Sequence, residues 1–149
     1  MGETAVERLR DARLRSGLSE AETAAAIGLT VAWYRDLESE PTELYINISL
    51  AHLQVLGSIL HVHPITLLTG MEPVPVEQHW GFIDLVARLN QHRVANGLSV
   101  DAFGEAVGWN LKDVLVDPDE LWNFNIDGLQ ALCAAVDVDW HAAVPMQAG

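Results

Sequence analysis

Residues 18–38 read LSEAETAAAIGLTVAWYRDLE, and this stretch decides the fold. Ser19 and Glu22 have the spacing of a capping box, in which a hydroxyl and a carboxylate satisfy free amides at the start of a helix. Gly28 interrupts the helical pattern at a position that suits a turn of positive φ. On both sides of this turn, small or apolar residues recur at helical spacing and are predicted to face inward. These inward positions are Ala24, Ile27, Tyr34 and Leu37.

A similar sequence pattern occurs twice along the chain. Arg13-Leu-Arg-Ser-Gly-Leu-Ser19 is echoed by Arg93-Val-Ala-Asn-Gly-Leu-Ser99. Further on, residues 49–62 are paralleled by residues 125–138, at an offset four residues smaller. Such self-similarity predicts two related domains, the second with a shorter middle loop.

A linker is predicted between the two copies. Met71-Glu-Pro-Val-Pro-Val76 carries two prolines one residue apart, which block a continuous helix. Apolar residues elsewhere recur three or four apart, and strand alternation is nearly absent. The sequence therefore predicts an all-α protein with one helical domain at residues 1–71, a linker at 72–78 and a second domain at 79–149.

The chain is strongly acidic. Eight basic residues stand against 21 acidic ones, which gives a net charge of −13, divided as −5 over the first 72 residues and −8 over the rest. This balance repels nucleic acid phosphates at long range. It is equally compatible with simple solubility and with attraction of a basic partner.

Composition also bounds the location. Hydrophobic residues make up 50% of the chain, enough for a substantial core. There is no apolar run near the roughly 20 residues that span a bilayer, and the first residues lack the apolar segment of a secretory signal. We therefore expect a cytoplasmic protein with no membrane segment, in which the single Cys133 is a buried structural thiol.

Residues 18–38 resemble the XRE family of helix-turn-helix proteins, which includes the lambda repressor and Cro. Residues 49–68 are similar to the closing helices of that family, and residues 82–144 carry the likeness more weakly. The positions that match the core and signature pattern are Ala24, Ile27, Gly28, Leu29, Tyr34, Leu37 and Glu38. The resemblance implies two tandem lambda-repressor-like helix-turn-helix bundles, the second degenerate.

The resemblance also implies a binding face. In this family the second helix anchors to phosphates and the third presents side chains to base edges. The anchoring position, usually glutamine, is Glu20 here, and Val100 in the second copy. The outward positions of the third helix, and thus the candidate partner-binding or DNA-binding residues beside Glu20, are Val31, Ala32, Trp33, Arg35 and Asp36. Base readout favours Gln, Asn, Arg or Lys, and only Arg35 qualifies.

One residue of this face, Trp33, has two alternative interpretations, and the second copy has an expected counterpart of the third helix. Trp33 is either a partner anchor or a side chain that packs against the 40–48 loop or the other domain. The second copy is expected to repeat the third helix at Asn110–Val116, bracketed by Trp109 and an acidic loop.

No catalytic chemistry is visible. A nucleophile with its base, a glycine-rich phosphate loop and paired catalytic carboxylates are not recognisable, so we expect neither an enzyme nor a cofactor. His52, His61 and His63 are close in sequence but lack a zinc pattern, and histidines at a helix end more often cap carbonyls; we expect no metal.

Two functions remain. The first is a non-catalytic protein-binding module on a repressor-like scaffold, with an antitoxin, immunity or regulatory role and with a basic toxin or a regulator as its partner. The second is a DNA-binding transcriptional regulator that uses the first domain and binds as a homodimer. The second would hold if the five arginines of the first domain formed one cationic strip: Arg8, Arg10, Arg13, Arg15 and Arg35.

Overall fold

The computed structural model describes residues 3–145, and these residues form helices, turns and loops without a β-strand. The chain divides into two compact units, of which the first runs to Pro73 and the second is Val74–Val144. The expectation of an all-α protein is confirmed for the described residues.

The first unit begins with α1 (Ala5–Arg15), α2 (Glu20–Ile27) and α3 (Val31–Leu37). It continues with the single turn α4 (Glu43–Ile46), α5 (Leu50–Leu60) and α6 (Pro64–Thr69). The start of each of the longer helices is fixed by a side-chain cap, which satisfies amides that the helix itself leaves free. The caps are Thr4, Ser19, Thr30 and Ser49, and His63 caps α6.

The turn between α2 and α3 forms as the sequence predicts. Ser19 and Glu22 make both hydrogen bonds of a capping box. Gly28 ends α2 with a φ of 78°, and no atom lies within 4 Å of the place that a Cβ would occupy. Glycine is therefore needed there for its backbone conformation and not for a close approach.

A buried ion pair ties α1 to the end of α3. The Arg13 guanidinium donates to both carboxylate oxygens of Glu38, at 2.6 and 3.2 Å, and also to the Leu18 carbonyl at 2.9 Å. The Glu38 carboxylate raises the pKa of Arg13 further above its ordinary value. Beside the pair, burial and then the Glu38 carboxylate raise the pKa of the fully buried Tyr34. Arg13 and Tyr34 thus stay in one protonation state at ordinary pH.

The second unit contains α7 (Phe82–Ala95), α8 (Val100–Val107) and α9 (Ile126–Ala135). Short 3₁₀ segments occupy Val76–Gln78, Pro118–Asn123 and Trp140–Ala142. The chain entering α7 is tied to the end of the unit, because the Trp80 amide donates to the Ala142 carbonyl at 2.7 Å.

Hydrogen bonds of the first unit recur in the second. Arg93 donates to the Leu98 carbonyl as Arg13 does to Leu18. Asn90 donates to the Leu115 carbonyl at 3.1 Å, and Arg10 donates to the Glu38 carbonyl at the same distance. Leu115 therefore holds the place of Glu38. As a result, Nε of Arg93 is buried and has no hydrogen-bond partner among residues 3–145.

The prediction that the second copy has a third helix at Asn110–Val116 is wrong. Residues 112–116 form turns, with two helix-like bonds, from the Leu115 amide to the Leu111 carbonyl and from the Asp117 amide to the Asp113 carbonyl. Two features leave room for little more than one turn. Asn110 bonds the Lys112 amide with its own side chain, and Pro118 forces Asp117 into an extended conformation.

The residues missing from the second copy correspond to the start of α3. Three residues fewer separate Trp109 from Leu115 than separate Leu29 from Glu38. Leu111 and Val114 are buried as Tyr34 and Leu37 are. The inward side of the helix thus persists in the second unit, whereas Val31, Ala32 and Trp33 have no counterpart.

None of the helices in residues 3–145 has the length and apolar character that a membrane span requires.

Candidate functional site

The six residues that the sequence singled out lie on two successive helices, and together we call them the α2–α3 face: Glu20 on α2, and Val31, Ala32, Trp33, Arg35 and Asp36 on α3. Thr30 starts α3 by accepting a hydrogen bond from the Trp33 amide at 3.1 Å. Tyr34 and Leu37 point inward and are fully buried. Because these two positions set the rotation of the helix, Ala32, Trp33, Arg35 and Asp36 are left exposed and Val31 half-buried.

Arg35 is the one basic residue of this face, and it is paired. Its Nε lies 3.7 Å from the Glu20 carboxylate on α2. Both side chains are open to solvent, at 64% and 36% exposure, so the pair adds little stability. Its consequence is electrostatic: the carboxylate cancels the only charge on the face that attracts phosphate.

The other arginines of the first unit are used within it. Arg8 donates to the carbonyls of Leu67 and Leu68 at the end of α6, both at 2.8 Å. Arg10 donates to the Glu38 carbonyl and lies 3.8 Å from its carboxylate, and Arg13 is buried.

The last arginine of α1 is not beside α3 either. Arg15 lines a cavity between α1 and α6, together with the carboxylates of Glu3 and Asp11. With Arg8 at the end of α6 and Arg13 buried, the five arginines do not form a continuous cationic strip beside α3.

Trp33 has both a structural contact and an exposed surface. Its indole N–H donates to the Asn47 carbonyl at 3.1 Å, and its ring meets the edge of the His52 ring with centroids 6.2 Å apart. The side chain is nevertheless 40% exposed. The contact with the 40–48 loop therefore exists, and it holds the indole in one orientation while a large part remains open to solvent.

Two of the three histidines in residues 52–63 cap amides. Nδ1 of His52 accepts from the Ser49 amide at 3.3 Å, and Nδ1 of His63 accepts from the Ile65 amide at 3.0 Å. His61 ends α5 in the left-handed conformation. His52 and His63 both stand at helix starts, where amides are free. Within residues 3–145 no three His, Cys, Asp or Glu side chains gather as a metal site would.

Sequence reasoning missed the residues that surround Trp33. Asn47 accepts its hydrogen bond through a backbone carbonyl, and sequence carries no signal for that contact. His52 was recognisable in principle, because it stands three residues after the cap Ser49, where a capping box places its second acceptor. Ile46 and Val55 are exposed apolar side chains on the adjoining elements.

Comparison of the chain with protein-family models, with curated proteins and with solved structures finds no match.

Proposed function

We propose that this protein is a non-catalytic protein-binding module built on a repressor-like helix-turn-helix scaffold, and that the α2–α3 face contacts the partner. The observation that carries the proposal is the ion pair of Arg35 with Glu20. It leaves a face of valine, alanine and tryptophan beside carboxylates, in place of the donors that a phosphate backbone requires.

The scaffold part of the proposal has separate support. α2, the turn at Gly28 and α3 follow one another at the spacing of the helix-turn-helix pattern. The second unit repeats two side-chain hydrogen bonds of the first, those of Arg93 with Leu98 and of Asn90 with Leu115, and lacks the first turn of α3. We infer a tandem pair in which the second copy has kept its core and lost its presenting helix, so that the binding face belongs to the first unit.

The partner part follows from charge. A protein of net charge −13 attracts basic partners and accelerates their association. A basic toxin or a basic regulator therefore suits the acidic surface, and the roles that fit are those of an antitoxin, an immunity protein or a regulator that acts through a partner.

Photo-crosslinking in the producing cells tests this function. Benzoylphenylalanine replaces Ala32 on the α2–α3 face in one variant and Val116, an exposed residue of the second unit, in the control. At position 32 we expect adducts that are degraded by protease and resist nuclease. At position 116 we expect no such adducts. Nuclease-sensitive adducts at position 32, or the same adducts at both positions, would overturn the proposal.

A further inference from the structure

Three large apolar side chains are exposed on adjoining elements of the first unit. Trp33 on α3 is 40% exposed, Ile46 at the end of α4 is 46% exposed and Val55 on α5 is 41% exposed. Single exposed apolar residues are ordinary on protein surfaces, whereas a contiguous group marks an interaction site.

The hydrogen bond and the ring contact of Trp33 join α3 to the two elements that carry Ile46 and Val55. The Trp33 indole donates to the carbonyl of Asn47, the residue after Ile46. The same ring meets His52, which lies one helical turn before Val55 on the same side of α5. We call Trp33, Ile46, His52 and Val55 the α3–α5 stripe.

Carboxylates border this stripe. Asp36 follows Trp33 by one turn of α3, Glu40 comes directly after that helix, and Glu43 opens α4 one turn before Ile46. Arg35 is the only Lys or Arg in the sequence between positions 31 and 60, and it is paired with Glu20. The border is therefore negative, and the segment has no unpaired Lys or Arg to balance it.

We propose that the α3–α5 stripe binds a basic amphipathic helix of the partner protein, an inference that rests on the proposed function. A narrow apolar stripe with an acidic border is complementary to a helix that carries apolar residues on one side and Lys or Arg on both flanks. The apolar side covers Trp33, Ile46 and Val55, and the flanking cations reach Asp36, Glu40 and Glu43.

Trp33 is the anchor of this surface. Because the Asn47 carbonyl already holds the indole in place, little side-chain entropy is lost when the partner covers it. The second unit has no residue equivalent to Trp33, so a single helix is bound per chain, on the first unit.

Nuclear magnetic resonance with designed peptides tests the inference. The probe is a synthetic 18-residue helix of leucine and lysine, and its twin carries glutamate in place of every lysine. We expect the lysine peptide to shift the indole signal of Trp33, which Trp33→Phe assigns, together with the methyl signals of Ile46 and Val55. Raising the salt concentration weakens this binding, since exposed charges are screened.

Matched variants locate the site. Ile46→Ser and Val55→Ser are each expected to weaken binding of the lysine peptide by about fivefold, through loss of apolar burial. The control Val116→Ser removes a more exposed side chain from the second unit and is expected to change nothing.

Three results would overturn the inference: equal binding of the glutamate peptide, equal binding to the variants Ile46→Ser and Val55→Ser, or no shift of the Trp33 indole at millimolar peptide. Any of these results, combined with protease-sensitive adducts at position 32, would exclude a basic helix as the partner's binding element and would leave the proposed protein-binding function intact. Nuclease-sensitive adducts at that position remove the function itself.

Discussion

The guanidinium of Arg35 lies 3.7 Å from the carboxylate of Glu20, so that α2 neutralises the only cation that α3 exposes. In a helix-turn-helix protein that reads DNA, these two helices supply the phosphate anchor and the base contacts. Under the proposed function, the carboxylate of Glu20 opposes phosphate at the anchor position and also occupies Arg35, the one donor suited to bases. A structural scaffold and the chemistry of its surface thus point to different partners.

Replacement of Glu20 by glutamine restores a neutral donor and frees Arg35. We expect Glu20→Gln to raise affinity for a polyanion by about fivefold, because removal of one opposing charge at contact distance is worth on the order of 1 kcal/mol in water. Retention on a heparin column and its salt dependence measure this. Glu105→Gln, at an exposed position of α8, makes the same change in net charge. Equal retention of the two variants would show that the charge of Glu20 affects polyanion binding no more than an exposed charge elsewhere does.

The buried pair of Arg13 and Glu38 makes a sharp prediction about stability. Glu38→Gln leaves the Arg13 charge buried without its counterion, which costs about 3–5 kcal/mol when one partner of a buried pair is removed. Urea unfolding followed by circular dichroism measures the loss for the first unit. Glu40→Gln, which removes an exposed acid two residues away, serves as the control. A midpoint for Glu38→Gln equal to that of the control would contradict the account.

Much of this fold follows from local chemistry that sequence displays. Ser19 caps α2 as expected, Ser49 and Asn125 also cap helices, and Gly28 adopts the positive φ that the pattern requires. Caps and turns are predictable because each depends on a few adjacent residues. The helix predicted at Asn110–Val116 does not form for a different reason. The apolar spacing of this segment is helical, but periodicity does not measure the length available for a helix between Asn110 and Pro118.

The site was predictable only in part. The exposure of Trp33, Arg35 and Asp36 follows from the burial of Tyr34 and Leu37 on the same helix. The pairing of Arg35 with Glu20 and the bond of Trp33 to Asn47 join separate elements, so they depend on how the helices cross. For the same reason, the sequence shows five arginines without showing that Arg8, Arg10 and Arg13 are engaged within the first unit.

The second unit offers a reciprocal test of the repeat. Since Leu115 holds the place of Glu38 and Nε of Arg93 is buried without a partner, a carboxylate at position 115 gains an ion pair. We expect Leu115→Glu to be more stable than Leu115→Gln, a side chain of the same shape, by about 1 kcal/mol. Thermal unfolding of the two variants at pH 7 measures the difference. The equivalence of Leu115 with Glu38 is wrong if the glutamine variant proves the more stable.

The capping box of α2 gives a pH dependence. Hydrogen bonds from the Ser19 amide and side chain hold the pKa of Glu22 below its ordinary value of 4.5. A carboxyl with a lower pKa in the folded state stabilises the fold above its unfolded pKa, and this contribution disappears as the pH falls through the folded value. Wild type should therefore exceed Glu22→Gln in stability at pH 7, and the two should converge as the pH falls through the folded pKa of Glu22. A difference that persists or grows in acid would exclude this role for the charge.

Cys133 reports on unfolding. Burial, aided by the Asp139 carboxylate, raises the pKa of its thiol to about 12, so at pH 8 the side chain is both inaccessible and protonated. Because the thiolate is the reactive form, a disulfide reagent should label the native protein slowly and the urea-unfolded protein within the mixing time. Equally rapid labelling without urea would place Cys133 at the surface.

Fluorescence polarisation with labelled random duplexes, at low salt, tests the central claim most directly. Non-specific DNA binding by proteins typically has dissociation constants of about 10⁻⁴ to 10⁻⁶ M at physiological salt and tightens at lower salt. We predict no saturable binding of the wild-type protein under these permissive conditions. Saturable binding that weakens steeply with added salt and is lost in Arg35→Ala would contradict the account, because the α2–α3 face would then contact phosphate despite Glu20.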